Sequence, residues 1–193
     1  MKKFLLCLPL LLTACGGSDA PQLYRLASDA PASATTCSRG PSITIHEPIA
    51  APGLDSAHII VLTGDGRQSF YNDIRWNAAA PSVVQHYLAE RFEQSGRFAL
   101  VTTDDASAHT GWLLQTQLRD FEVNQATEKL QINLTASLVN AATRQPVMSL
   151  PLSAEADISG KDTGEIVAAF NAQMAQLSDQ MLQSFAGKIQ SCH

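Results

Sequence analysis

The residue whose setting most clearly calls for chemistry is Cys15, which closes the run Leu12-Thr13-Ala14-Cys15. Before it stand Met1-Lys2-Lys3 and the nine-residue apolar run Phe4–Leu12. Two charges, a short apolar stretch and small residues before a cut have the order of a secretory signal. Nine residues cannot span a bilayer, which takes about 20 apolar residues. Cleavage before Cys15 would free both an amine and a thiol. In a bacterial lipobox that thiol takes a diacylglycerol and the amine a third acyl chain. Two or more chains hold a protein stably on a membrane, at about 0.8 kcal/mol per buried methylene. Residue 16 is Gly rather than Asp, which points to outer-membrane sorting.

Three other cysteines remain to be accounted for. Cys7 leaves with the signal, so Cys37 and Cys192 stay in the mature chain. An oxidising periplasm favours pairing them in a disulfide. The 155-residue loop would then be worth roughly 5 kcal/mol at most in the chain-entropy picture. Two free thiols, with Cys192 on a frayed tail, is the other reading. A metal site is disfavoured, because two distant cysteines lack the paired spacing of structural zinc sites. His46, His58, His86, His109 and His193 show no metal-ligand spacing. The chain holds no G-x-S-x-G elbow, phosphate-binding glycine loop or H-E-x-x-H. Asp73, Asp104 and Asp105 fall in or near turns, where Asp serves the backbone. No catalytic residue, metal or cofactor is therefore expected. A scattered hydrolase site is the weakest of the readings left.

Loss of Lys2 and Lys3 leaves 11 basic against 18 acidic residues in a mature chain of 179, a formal charge of −7. Nucleic acid needs clustered basic residues, so it is excluded as a partner. Docking on anionic headgroups is disfavoured for the same reason. The hydrophobic fraction of 45% suffices for a core in one domain.

The elements that would carry any surface follow from periodicity. Residues 1–14 read as the signal and 15–41 as a flexible, lipidated tether with a short strand at Leu23–Leu26. Residues 42–193 read as one domain. Strands are expected at Ile43–Ile45, His58–Leu62, Ser69–Trp76 and Phe98–Thr102, with a turn at Gly64-Asp65-Gly66. A helix starts at Pro81 and stops at Gly96. Along 112–123 the apolar phase flips, which predicts a β-bulge near Arg119-Asp120. Leu130–Leu138 alternates cleanly, with one face dry and one wet. Met148–Ile158 repeats this pattern, and Pro151 marks it as an edge strand or an interrupted one. Asp162 and Glu165 form a capping box opening a helix whose stripe is Ile166, Phe170, Met174, Leu177, Met181, Phe185 and Ile189. The fold class is α/β, an α+β sandwich: a mainly antiparallel five- to six-stranded sheet with two helices on one face.

The stretch Tyr71-Asn72-Asp73-Ile74-Arg75-Trp76, then Pro81 and its helix, then Ser95-Gly96-Arg97-Phe98-Ala99-Leu100-Val101, resembles the ABC-type transport auxiliary lipoprotein family. The long strand ending near Asp120-Phe121 and the segment Leu23-Tyr24-Arg25-Leu26 match as well. The likeness covers about residues 22–187, through motifs that are individually soft and specific in their joint order. It implies a non-catalytic subunit anchored in the outer membrane. Its partners would be a mammalian-cell-entry (MCE) domain protein and an inner-membrane ABC permease and ATPase that move phospholipids or other apolar molecules. A homo-oligomer is compatible with this. The competing reading is a binding lipoprotein of an outer-membrane assembly or secretion machine. Tyr71 and Trp76 read either as core aromatics at the strand-to-helix junction or as an exposed docking patch.

Overall fold

The computed structural model describes residues 20–28, 40–103 and 110–189. Chain order is β1 (Gln22–Tyr24), β2 (Ser42–Ile45), β3 (Ile49–Ala50), β4 (His58–Leu62), β5 (Gln68–Trp76), α1 (Ala80–Gln94), β6 (Leu100–Thr102), β7 (Trp112–Asn124), β8 (Lys129–Asn140), β9 (Pro146–Asp157) and α2 (Thr163–Ala186).

The sheet has nine strands and is mixed, which corrects the expectation of five or six mainly antiparallel ones. The hairpin pairs β4–β5, β7–β8 and β8–β9 are antiparallel. The pairs β1–β5, β2–β6, β2–β7, β3–β7 and β4–β7 are parallel. The reason is that periodicity reports which face a strand buries, not which neighbour it takes. β7 lies at the centre. One of its edges is paired along its length by β8. The other is shared by β2 at Trp112–Leu114, β3 at Gln117–Leu118 and β4 at Glu122–Asn124.

The expected bulge is present, as a register shift between Leu118 and Asp120. The extra residue returns Phe121 and Val123 to the buried side already held by Leu114, Thr116 and Leu118. β9 pairs only with β8, so Pro151 sits on an edge strand, where a missing N–H costs no ladder bond. The short strand expected in the tether is β1, and it belongs to the sheet: it pairs with Ile74–Trp76, and Leu26 just after it is 5% exposed. The 15–41 segment is therefore not tether throughout.

Both helices cover one face of the sheet and share a single hydrophobic core. α1 begins with a proline in its first turn and ends at Ser95. Gly96 follows at φ 66°, a conformation a side chain would strain. α2 is opened by the capping box: Asp162 accepts from the Glu165 N–H at 2.8 Å, and Glu165 accepts from the Asp162 N–H at 3.0 Å. Its stripe from Ile166 to Phe185, and Ile189 beyond the helix end, is buried. At the centre Trp76, Phe121 and Phe170 pack with ring centroids 4.7–5.5 Å apart, Phe170 edge-on to Trp76. This cluster joins β5, β7 and α2. Phe170→Ala should lower the unfolding free energy by about 3–5 kcal/mol, read from urea midpoints. Asp162→Ala, which loses one cap, should cost only about 1 kcal/mol.

Candidate functional site: the helix-free face of the sheet

Alternation along paired strands assigns each residue to the helix side or the opposite side. On the opposite side lie Leu23 of β1, Arg75 and Phe70 of β5, His58 and Ile60 of β4, and Glu122 of β7. It continues through Gln131 of β8 to Glu155 of β9. Phe70 reaches this side because three extra residues of β5 lie between the partners of His58 and Ile60, which flips its phase. Ile49 pairs beside the exposed Gln117 and shares its side.

The large apolar side chains left exposed are Leu23 (68%), Ile49 (73%), Phe70 (45%), Leu100 (43%) and Val147 (42%). Register places the first four of these described residues on the helix-free side, and alternation from the core-facing Met148 puts the unpaired Val147 there too. Elsewhere that side carries the polar Gln115, Gln117, Asn133, Thr135, Ser137 and Ser149, and the buried cross-strand pair Leu113 and Val139. A shallow depression of about 320 Å³ opens on it, lined by Arg119, Asp120, Asn133, Thr135, Pro151 and Ser153 among others. Asp120 accepts from the Asn133 side-chain amide at 2.6 Å. Lys129 and Gln131 both donate to Glu155, at 2.9 and 3.1 Å.

Glu122 stands apart. It is only 7% exposed, and among the described residues no hydrogen bond or ion pair holds its carboxylate. Burial, and then the negative charge of Asp120, push its carboxyl above the ordinary glutamate range.

A larger groove of about 760 Å³ runs beside α1, lined in part by Arg25, Ser82, His86, Tyr87 and Glu90. His86 Nδ1–H donates to the Ser82 carbonyl at 2.7 Å, and Glu90 accepts from Gln94 at 3.2 Å. These bonds lie within the helix and assemble no catalytic set. Among the described residues no group of three His, Cys, Asp or Glu could hold a metal ion. None of the helices described is long and apolar enough to cross a membrane.

The residues singled out from sequence fall as follows. Trp76 is 1% exposed, so it is a core aromatic and no part of a docking patch. Tyr71 is half-buried against the core and lines a cleft with Val61, Val123 and Ile158 on the helix side. Burial, and then the charge of Asp73, raise its phenol. Asp73 is exposed on β5, and His58 packs its ring 4.2 Å from that of Phe70. Cys15, Gly16, Cys37, Cys192, Asp104, Asp105, His109 and His193 lie outside the described residues. Sequence reading missed Leu23, Ile49, Phe70 and Glu122 as members of one surface. The sequence held little signal for them: Ile49 stands between Pro48 and Ala50, and Phe70 between Ser69 and Tyr71.

A mixed sheet backed by two helices, with scattered apolar side chains on its bare side, has the build of a binding domain. The chain belongs to the family described as the ABC-type transport auxiliary lipoprotein component, whose model matches residues 24–182. The crystal structure of a Xanthomonas campestris protein is similar at 22% identity and a TM-score of 0.71, covering 83% of this chain and 92% of that one. That of an uncharacterized protein is similar at 13% identity and a TM-score of 0.68, covering 87% and 100%. These likenesses concern the fold alone. The search of curated proteins found no match.

The raised carboxyl of Glu122 has a consequence for stability. A native-state value above the unfolded one favours folding at low pH, and that contribution is lost as pH rises through the native value. Glu122→Gln never ionises. Its urea midpoint should therefore gain on that of the parent as pH rises from 4 to 7, with the gap opening above pH 4.5, the ordinary glutamate value. An unchanged gap across that range would refute the assignment.

Proposed function

We propose that this protein is a non-catalytic docking subunit of an MCE-type ABC transport system, acylated on Cys15 and held at the periplasmic side of the outer membrane. The observation that carries the reading is the placement of all five exposed large apolar residues on the helix-free side. Isolated apolar residues on a surface are ordinary. Their confinement to one side of a sheet is not, and it supports reading that side as a surface that meets a partner.

The dimensions suit a protein partner. Twelve-residue strands at about 3.3 Å per residue give a length near 40 Å. Five inter-strand steps of about 4.8 Å give a width near 24 Å. The area is thus at most about 1,000 Å², against about 800 Å² per partner in a standard interface. The membership in a transport auxiliary family supports an ABC transport machine as the destination. A lipid anchor would raise the local concentration of the docking surface at one membrane. A phospholipid or another apolar molecule would be the cargo of the machine, and Cys37 and Cys192 would close the domain as a disulfide.

Cys15→Ser should abolish palmitate labelling and release the protein from the membrane fraction. Ile49→Asp should strip the co-isolated MCE-domain protein from affinity-purified, lipidated protein while changing stability by less than about 0.5 kcal/mol, as exposed substitutions do. Retention of the partner at wild-type levels would sink the docking reading. Thiol alkylation of the denatured, unreduced mature protein should leave Cys37 and Cys192 unmodified. Labelling of either without reductant would remove the disulfide.

A further inference from the structure

Within the helix-free side, one point is chemically incomplete. The Glu122 side chain is more than nine-tenths covered, its carboxylate oxygens keep only slight contact with solvent, and no donor among the described residues reaches them. Its register neighbours are Ile60 on β4 and Gln131 on β8. Ile60 has no polar group to offer. The Gln131 amide is committed to Glu155, and its oxygen accepts from Asn124 at 3.5 Å. Lys129, a cation of this side, is paired with Glu155. Neither Arg75 nor Arg119 forms an ion pair with Glu122 among the described residues. Asp120, two residues earlier on the same side, adds a second negative charge, and among the described residues its side chain accepts from the neutral Asn133 amide alone. A carboxylate that is largely covered and has no protein donor loses part of its hydration, and such a group calls for an explanation.

Building on the docking reading, we infer that Glu122 and Asp120 receive a lysine or arginine side chain of the docked protein partner. The stem of that side chain would lie along Ile60 and Phe70. The surroundings match such a side chain part by part. Apolar Ile60 and the exposed ring of Phe70 suit the methylene stem, and the two carboxylates suit the cationic head. The occupant is a protein segment and not the ammonium of a lipid headgroup. A headgroup would engage the carboxylates alone. The exposed Leu23, Phe70 and Ile49 flank Glu122 across β1, β5 and β3, a spread of three inter-strand steps from β1 to β7, about 14 Å. A polypeptide that covers these residues would also exclude water from the charge pair, which strengthens it. Such centrally placed, desolvated contacts carry most of the energy of an interface.

The test uses full-length, acylated protein purified from membranes. Retention of the MCE-domain protein is measured for wild type, Glu122→Gln, Asp120→Asn and Ile49→Asp, with phospholipid content read by thin-layer chromatography. Glu122→Gln should weaken retention about tenfold or more, with a thermal midpoint no lower than that of wild type. Asp120→Asn should weaken it less, and wild-type retention should fall with added salt while that of Glu122→Gln changes little. If Ile49→Asp loses the partner and Glu122→Gln keeps it, the charge pairing is wrong and the docking reading stands. If neither variant changes retention, the surface itself is wrong. Loss of bound phospholipid in Glu122→Gln with unchanged protein retention would identify a headgroup as the occupant and overturn the inference.

Discussion

The architecture depends on how the two edges of β7 are used. A strand has one hydrogen-bonding edge on each side, and buried backbone groups must find partners. β8 satisfies one edge over nearly all of its length. No single strand satisfies the other, which is divided among β2, β3 and β4. Two wings follow from that division. The β2–β6 wing carries α1, and the β4–β5–β1 wing closes over the far end of the sheet. The bulge at Leu118–Asp120 keeps Phe121 and Val123 on the core side once the strand has passed its midpoint. Without it the aromatic contact with Trp76 and Phe170 would point into solvent, and α2 would lose its seat.

Placing both helices on one side makes the two sides of the sheet unequal. The covered side is apolar from β9 to β6 and is packed by the stripes of α1 and α2. The bare side is mostly amides and hydroxyls, with exposed apolar side chains set singly among them and one buried apolar pair, Leu113 and Val139. Such a surface stays in water without large contiguous apolar patches, which would invite aggregation. It also lets a partner find both apolar anchors and polar partners within one footprint.

Much of this was legible beforehand, where one strand or one helix carries its own pattern. The alternation of Leu130–Leu138, the phase flip at Arg119-Asp120, the edge proline Pro151 and the Asp162/Glu165 box each depend on residues close in sequence. The parallel pairs were not legible, because β2, β3 and β4 are too short to state a partner. Ile49-Ala50 is two residues long, and nothing local marks it as a strand. The bare side was hidden for a related reason. Glu122 stands between Phe121 and Val123 in a phase that reads as solvent-facing, so its burial appears only when β4 and β8 are laid beside it. Trp76 and Tyr71 drew attention as aromatics near a junction. The surface instead uses Phe70, whose side is set by extra residues in β5 that no periodicity reveals.

The entry of β1 into the sheet has a mechanical consequence. With acylation at Cys15, only six residues would separate the acylated cysteine from Gln22, the first residue of β1, a distance of seven residue steps. Fully stretched, seven residues reach no more than about 25 Å. A leash running to residue 41 would have reached roughly 90 Å by the same measure. An anchor at Cys15 would hold β1 within the shorter of these distances from the bilayer. A partner would then have to meet the domain close to that membrane, because so short a leash could not carry it far.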